Sequence, residues 1–340
     1  MKALRYVVAA TTACCALGAY AHHSPFLFFD PSTTIEIEGE LTSVQWRNPH
    51  VMFEVETADG VPWVVEANAV SILRRMNLTP DTFREGDQVS VAGWPAQRGG
   101  NEIFVTNMLM RTGEEIGFMP GVPPRWGDKA EGDTSTWLIT ENELDTPATA
   151  DIFHVWSTSL GLGPGAALPF DGVEFPLTPA AAAARADYDI YDSPILEAGC
   201  VHKGMPTIME QPYPMEFIDE GDRIVMRMEE GDAVRLFDMR PDAEINGLAP
   251  IPMGHSKGRW EDGDLVVETT GASWPYIDMT GIPNSPDTHY VERFALSENG
   301  NRLDYTMIVT DTDIFTEPVT LTKSWLNIPG AKVAPYQCEE

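Results

Sequence analysis

MGHSKGRWEDGDLVVETTG, Met253 to Gly271, reads as a β-hairpin, and its echo THYVERF, Thr288 to Phe294, reads as the next strand. Gly258 marks a bend, Trp260 a large apolar anchor and Asp262-Gly263-Asp264 a tight turn. Beyond the turn, Leu265, Val267 and Thr269 alternate with Val266, Glu268 and Thr270, the period of a half-buried strand. Further strands are expected at Met215 to Ile218, Arg223 to Met228, Ala233 to Phe237, Tyr290 to Leu296, Arg302 to Thr310 and Val319 to Trp325. They are separated by the turns Glu220-Gly221-Asp222, Glu230-Gly231-Asp232 and Asn299-Gly300-Asn301. Many strands joined by short turns favour an antiparallel barrel or strongly curved sheet, lipocalin-like in general architecture, over a nucleotide-binding α/β unit.

A chain of 340 residues exceeds one ordinary core and divides into two domains behind a targeting segment. Residues 1–21 have the form of a signal peptide. Lys2 and Arg5 give the charged start, Tyr6 to Gly18 the apolar run and Ala19-Tyr20-Ala21 the small-residue cleavage rule. The run is too short to remain as a membrane span, and Cys14 and Cys15 lack the box expected for lipid attachment. Removal of the segment leaves Cys200 and Cys338. In an oxidising compartment they are expected to form one disulfide, with a reactive thiol at Cys200 as the alternative. Periplasmic or secreted localisation follows from the same reading.

The formal charge of −30 repels nucleic acid and anionic lipid surfaces. The expected partners are therefore a small apolar or aromatic molecule and a further copy of the chain, without nucleic acid and without stable membrane insertion.

Residues 22–115 read as a first domain. Ile35 and Ile37 open a strand reaching Trp46; Val51, Phe53 and Val55 alternate in a second strand that ends at Asp59-Gly60, and Val61 to Glu66 returns. Ala69 to Met76 reads as a short helix capped by Asn68. Gln88 to Trp94 and Glu102 to Arg111 complete the set. Three strands, a helix and two strands is the order of a five-stranded oligonucleotide/oligosaccharide-binding (OB-like) barrel. A mature terminus at His22-His23 offers an amine and imidazoles. With His50, these are candidate ligands for copper or zinc, weighed against a free terminus and a locally hydrogen-bonded turn histidine. No cofactor is required by the leading reading.

Gly117 to Pro124 breaks periodicity, so residues 116–150 read as a linker, with Trp126 and Trp137 able to pack on a neighbour. Residues 151–340 form the second domain, in which Thr178 and Pro179 start a helix through Ala186. Its candidate chemistry is His255, His289, Asp278 and Glu292 as acid/base groups, with Trp260, Trp274, Tyr276 and Arg293 as substrate-binding walls. In an undistorted strand His289, Val291 and Arg293 share one face while Tyr290 and Glu292 take the other. Buried structural polar pairs account for the same residues. The paired methionines Met108 and Met110, and Met226 and Met228, read as core packing.

The first domain resembles a family of unknown function whose exported members begin His22-His23-Ser24 and carry Trp46-x-Asn48-Pro49-His50-Val51 and Gly86-Asp87-x-Val89. The second resembles a separate uncharacterised exported bacterial group. Its motifs here are Cys200, Gly204-x-Pro206, Gly254-His255-Ser256-x-Gly258-x-Trp260-Glu261, Gly263-Asp264-x-Val266-Val267, Thr270-Gly271 and Val291-Glu292-Arg293. The resemblances imply exported β-rich domains and carry no established reaction. The resulting expectation is an exported small-molecule-binding protein, with a non-hydrolytic isomerase, cyclase or lyase acting on an apolar, aromatic or terpenoid-like substrate as its enzymatic form. The alternatives are a structural or assembly module and a copper- or zinc-binding protein using His22.

Overall fold

The computed structural model describes residues 25–132, 135–144, 149–159, 173–193 and 200–338. The signal peptide reading, His22 and His23 lie outside the described residues.

The protein is mainly β, with a closed five-stranded barrel followed by a nearly closed nine-stranded barrel-like sheet. The first barrel comprises β1 (Ile35–Gln45), β2 (Met52–Thr57), β3 (Pro62–Glu66), β4 (Gln88–Pro95) and β5 (Glu102–Met110). The sheet order is β3-β2-β1-β4-β5, and the parallel pairing of β3 with β5 closes it. Leu41, Val51, Phe53, Val55, Val65, Val91, Ile103 and Val105 fill its interior. The stretch read as a linker begins with β6 (Glu115–Gly117), which adds to β5. Ile116, Phe118 and Trp137 join the same core, so packing of the first barrel extends past residue 115. Asn107 and the backbone amides of Arg125, Trp126 and Gly127 all donate to the buried Glu115 carboxylate. These bonds tie the proline-rich turn to the barrel and, against the cost of burial, hold the Glu115 carboxyl below its ordinary value.

The second sheet contains β7 (Val155–Trp156), β8 (Met215–Asp219), β9 (Arg223–Met228), β10 (Val234–Asp238), β11 (His255–Glu261), β12 (Asp264–Thr270), β13 (His289–Leu296), β14 (Arg302–Thr310) and β15 (Val319–Leu326). Neighbours pair in chain order. Ser157, just after β7, exchanges both backbone hydrogen bonds with Leu326 of β15 at 2.9 Å, which joins the two ends of the sheet. Two neighbouring pairs meet at only two positions each: β7 with β8, and β10 with β11, which run parallel and pair at Phe237 with Ser256 and Asp238 with Lys257.

Side-chain alternation converts this register into inward rows. Trp260, Leu265, Phe294, Tyr305 and Lys323 face one another across β11 to β15. The next row is Gly258, Val267, Glu292, Met307 and Leu321, and the third is Ser256, Thr269, Tyr290, Val309 and Val319. The expected split of β13 is observed: Tyr290 and Glu292 are buried, whereas His289, Val291 and Arg293 are not.

The helix Val70–Arg75 lies between the barrels. Its expected cap, Asn68, instead donates to the Phe118 carbonyl at 2.8 Å. Asn48 replaces it: its Oδ1 accepts from the Val70 amide at 3.0 Å and its Nδ2 donates to the Tyr336 carbonyl. Asn48 can cap from another loop because the β1–β2 corner abuts the first helical turn, a tertiary contact invisible in the local sequence. From the helix, Arg74 reaches Glu229 at 3.0 Å and Arg75 reaches the Thr158 carbonyl at 2.6 Å. Arg75 also lies 4.0 Å from the Trp137 ring centroid, and burial lowers its pKa to about 10. The Cys200–Cys338 disulfide holds the C-terminal tail beside Asn48, whose amide donates to the Gln337 carbonyl at 3.3 Å.

Asn48→Ala removes both the helix cap and the hold on the tail. It is expected to lower the unfolding free energy by about 1–3 kcal/mol, read from the urea midpoint, and to accelerate amide exchange at residues 336–338. Unchanged exchange there would contradict this account of the corner.

Candidate functional site

The barrel interior contains charge that must be met by fixed partners. Arg235, inward on β10, forms a two-pronged pair with Glu292 at 2.8 and 2.6 Å, both side chains being essentially inaccessible. Tyr305 donates to Glu292 Oε1 at 2.8 Å and Thr269 to Oε2 at 3.1 Å. Because Thr269 spends its only hydroxyl proton on Glu292, Ser256 must donate to Thr269 across 2.8 Å. Burial opposes the Arg235 charge, but the Glu292 carboxylate outweighs it and holds the guanidinium above its ordinary value. Burial raises the Tyr305 hydroxyl, and the Glu292 charge raises it further.

A segment of the chain itself occupies part of the interior. Residues 203–211 run into the barrel, placing Met205, Ile208 and Met209 in the core. Lys203 pairs with Glu230, both buried. Lys323 donates to the carbonyls of Met209, Glu210 and Gln211 at 3.2, 2.9 and 2.7 Å. Burial pushes the Lys323 ammonium down, towards about 7, against the pull of Glu210 and Glu230; three carbonyl acceptors match its three protons and add to that pull. Gly204 is required by space, since a Cβ there would lie 2.3 Å from the Pro252 oxygen and 2.6 Å from the Trp274 Cβ. Met205 accepts from Asn284 at 3.1 Å, and its amide donates to Pro252 at 3.0 Å. Beside Trp325 the residual space is about 10 Å³, no more than one water.

The expected acid/base groups do not all lie on one face. His255 and His289 lie on the outward parity of β11 and β13, and His255 Nε2 is 2.8 Å from the Ala249 carbonyl oxygen. Glu292, on the same strand as His289, faces the interior. Asp278 is buried and accepts from the Thr280 amide and hydroxyl and the Ile282 amide at 3.0, 2.7 and 3.3 Å, closing a turn. Burial raises its carboxyl. Trp274 donates to Thr207 at 3.0 Å, Tyr276 packs edge-on against Tyr188, and Arg293 pairs with Asp264 and Glu261 on the outside. His50 contacts the buried Glu66 through Nδ1. Among the described residues, no group of three or more histidine, cysteine, aspartate or glutamate side chains is placed to hold a metal.

Trp260 is different. It is 47% exposed and stands on the wall of a groove of about 780 Å³ where β10 and β11 diverge beyond their two paired positions. Met239, Arg240 and Pro241 form one bank; Lys257, Gly258 and Arg259 lie beside Trp260 on the other. Lys257 and Arg259 both contact Glu268, at 3.3 and 2.7 Å, and Arg240 contacts Asp238. Three cations and the carboxylates Asp219 and Glu268 line the groove, and Asp238 and Glu261 stand beside it, paired with Arg240 and Arg259. In the sequence Lys257, Arg259 and Arg240 read as ordinary solvated charges.

Residues 10–114 match the model of a family of unknown function, DUF6152. The match spans β1 to β5 and stops before β6, consistent with an N-terminal domain of unknown function. None of the curated proteins compared with the chain matches it.

Two measurements test the interior. Glu292→Gln leaves the Arg235 charge buried with one acceptor weakened and is expected to cost about 3–5 kcal/mol, while the double change Arg235→Met, Glu292→Leu recovers most of that loss in chemical denaturation. For Lys323 the unfolded chain binds the proton more tightly than the folded one. Stability therefore rises as pH increases from about 7 towards 10.5, and Lys323→Met flattens that rise in unfolding curves taken across the window.

Proposed function

We propose that this is an exported, non-catalytic ligand-binding protein whose site is the groove between β10 and β11. The single observation carrying the reading is the groove itself: about 780 Å³ of accessible space bearing an exposed tryptophan and three cationic side chains. Its shape and lining suit a small molecule with an apolar or aromatic body for Trp260 and an anionic group for Lys257, Arg259 or Arg240. Acid/base turnover is not part of the proposal, because His289 and Glu292 occupy opposite faces of one strand. Export is supported by the form of residues 1–21 and by the Cys200–Cys338 disulfide. The second barrel's Gly254-His255-Ser256 and Gly204-x-Pro206 motifs support placing it in the uncharacterised exported group that it resembles.

An assembly role is the second reading. It is favoured by the chain-filled interior together with Val234 and Leu236, 45% and 50% exposed, on the outward face of β10. Concentration-dependent association abolished by Leu236→Glu would support it.

The ligand reading is tested by titrating the protein with naphthoate and with the uncharged naphthalene methanol, following tryptophan fluorescence. Saturable binding of the carboxylate is expected, weakened at least tenfold in Trp260→Ala, equivalent to about 1.4 kcal/mol. Mass spectrometry of protein purified natively should find a co-purifying small acid. Absence of saturable binding by either probe, with no retained compound, sinks the reading.

A further inference from the structure

We propose that His50, held by Glu66, and the processed amino terminus at His22 together bind one copper(II) ion on the outer face of the first barrel. This site is separate from the groove. It requires cleavage after Ala21, the bond at which residues 1–21 read as a signal peptide.

Glu66 anchors the site. Val65 and Ala67 on either side of it belong to the barrel core, so alternation puts the Glu66 side chain on the outer face. Even there it is only 1% exposed, because other elements cover that face. A carboxylate so placed needs a fixed donor, and His50 Nδ1 contacts its Oε1. His50 is brought there by the β1–β2 corner. Asn48 is fixed at the helix start and the tail, and the Val51 amide donates to the Asn68 carbonyl at 3.2 Å. When Nδ1 gives its proton to the carboxylate, Nε2 of the neutral ring keeps its lone pair. Nε2 makes no hydrogen bond among the described residues, and the ring is 11% exposed. An imidazole oriented by a carboxylate through one nitrogen and open at the other is the form that metal-bound histidines take.

His50 alone does not hold copper, and the chain terminus is a source of further nitrogen. Glu66 lies beside Phe104 in the parallel pairing of β3 and β5. Phe104 packs with Phe28, Phe29 and Trp94, and the ring centroids of Phe29 and Phe104 are 5.6 Å apart. The short helix Pro25–Phe28, where the described chain begins, therefore lies over the strand next to Glu66. The Phe29 amide donates back to the Pro25 carbonyl at 2.8 Å, so Pro25 stays close to that layer. His22, outside the described residues, stands three positions before Pro25, a reach of about 10 Å before its own side chain is added. An amino-terminal histidine offers its amine and a ring nitrogen to one ion, and His50 Nε2 supplies a third nitrogen. Amine and imidazole donors suit copper(II), which such ligands bind more tightly than the other divalent first-row metals. The formal charge of −30 raises the local concentration of any cation, so specificity must come from the nitrogens.

The test uses the exported, processed chain, with its intact mass establishing the first residue. Copper(II) is titrated against a competing chelator, and electron paramagnetic resonance counts the bound nitrogens. One equivalent held by three nitrogens is expected. Glu66→Gln should weaken binding by about ten- to a hundredfold with the three nitrogens kept. His50→Ala should lose one nitrogen and bind more weakly still. His22→Ala should also lose one nitrogen, which keeps the test decisive if His50→Ala fails to fold, while His23→Ala should bind as wild type does. A purely structural His50–Glu66 pair would lower stability in these variants without changing the nitrogen count, and that result overturns the proposal. So does wild-type affinity in His50→Ala, which would mean that the terminus binds alone. A first residue other than His22, or unsaturable copper uptake equal in His22→Ala, overturns it as well. Loss of the copper to equimolar zinc overturns the choice of metal. Naphthoate titration decides the groove reading separately.

Discussion

Three cationic side chains point into the interior of the second barrel, and none can remain charged there without a fixed acceptor. Arg235 meets Glu292, Lys203 meets Glu230, and Lys323 meets the carbonyls at the end of the short helix Thr207–Glu210. These pairings specify where β10, the 203–211 segment and β15 must lie relative to one another. Breaking one leaves an uncompensated charge, so they act as registry devices more than as sources of net stability.

The same interior also takes in a segment of the chain. The segment carrying Gly204-x-Pro206 enters it, and Met205, Ile208 and Met209 supply the apolar volume that a guest would otherwise occupy. The strand neighbours of this sheet that pair at only two positions are β7 with β8 and β10 with β11. At the second of these the splaying of two parallel strands exposes Trp260 and gathers Arg240, Lys257 and Arg259 from different elements. The two barrels are joined at the opposite kind of place, a corner where Asn48, the helix Val70–Arg75 and the disulfide-bound tail satisfy one another's backbone groups.

Alternation made most strands legible, and the same parity correctly separated Glu292 from His289. It did not reveal their partners. Lys323 left a trace, since it shares the inward parity of Leu321 and Trp325 and so reads as a lysine in an apolar row. Arg235 left a weaker one, because its neighbours Val234 and Leu236 are apolar and outward while Ala233 and Phe237 are apolar and inward. An arginine in such a run gives no sign of facing a carboxylate far away in sequence.

By itself the sequence determined the strand-rich class, the five-stranded first barrel, the turns and the pairing of the two cysteines remaining after residue 21, because period-two burial, turn chemistry and cysteine count are local or compositional properties. Only the tertiary structure decided that Asn48 caps a helix from another loop, that residues 203–211 enter the second barrel, and that Glu292 meets Arg235 inside it while His255 and His289 face outward. Those outcomes depend on which distant groups meet when the sheet curves. Periodicity reports the face on which a side chain lies; it does not report what stands opposite.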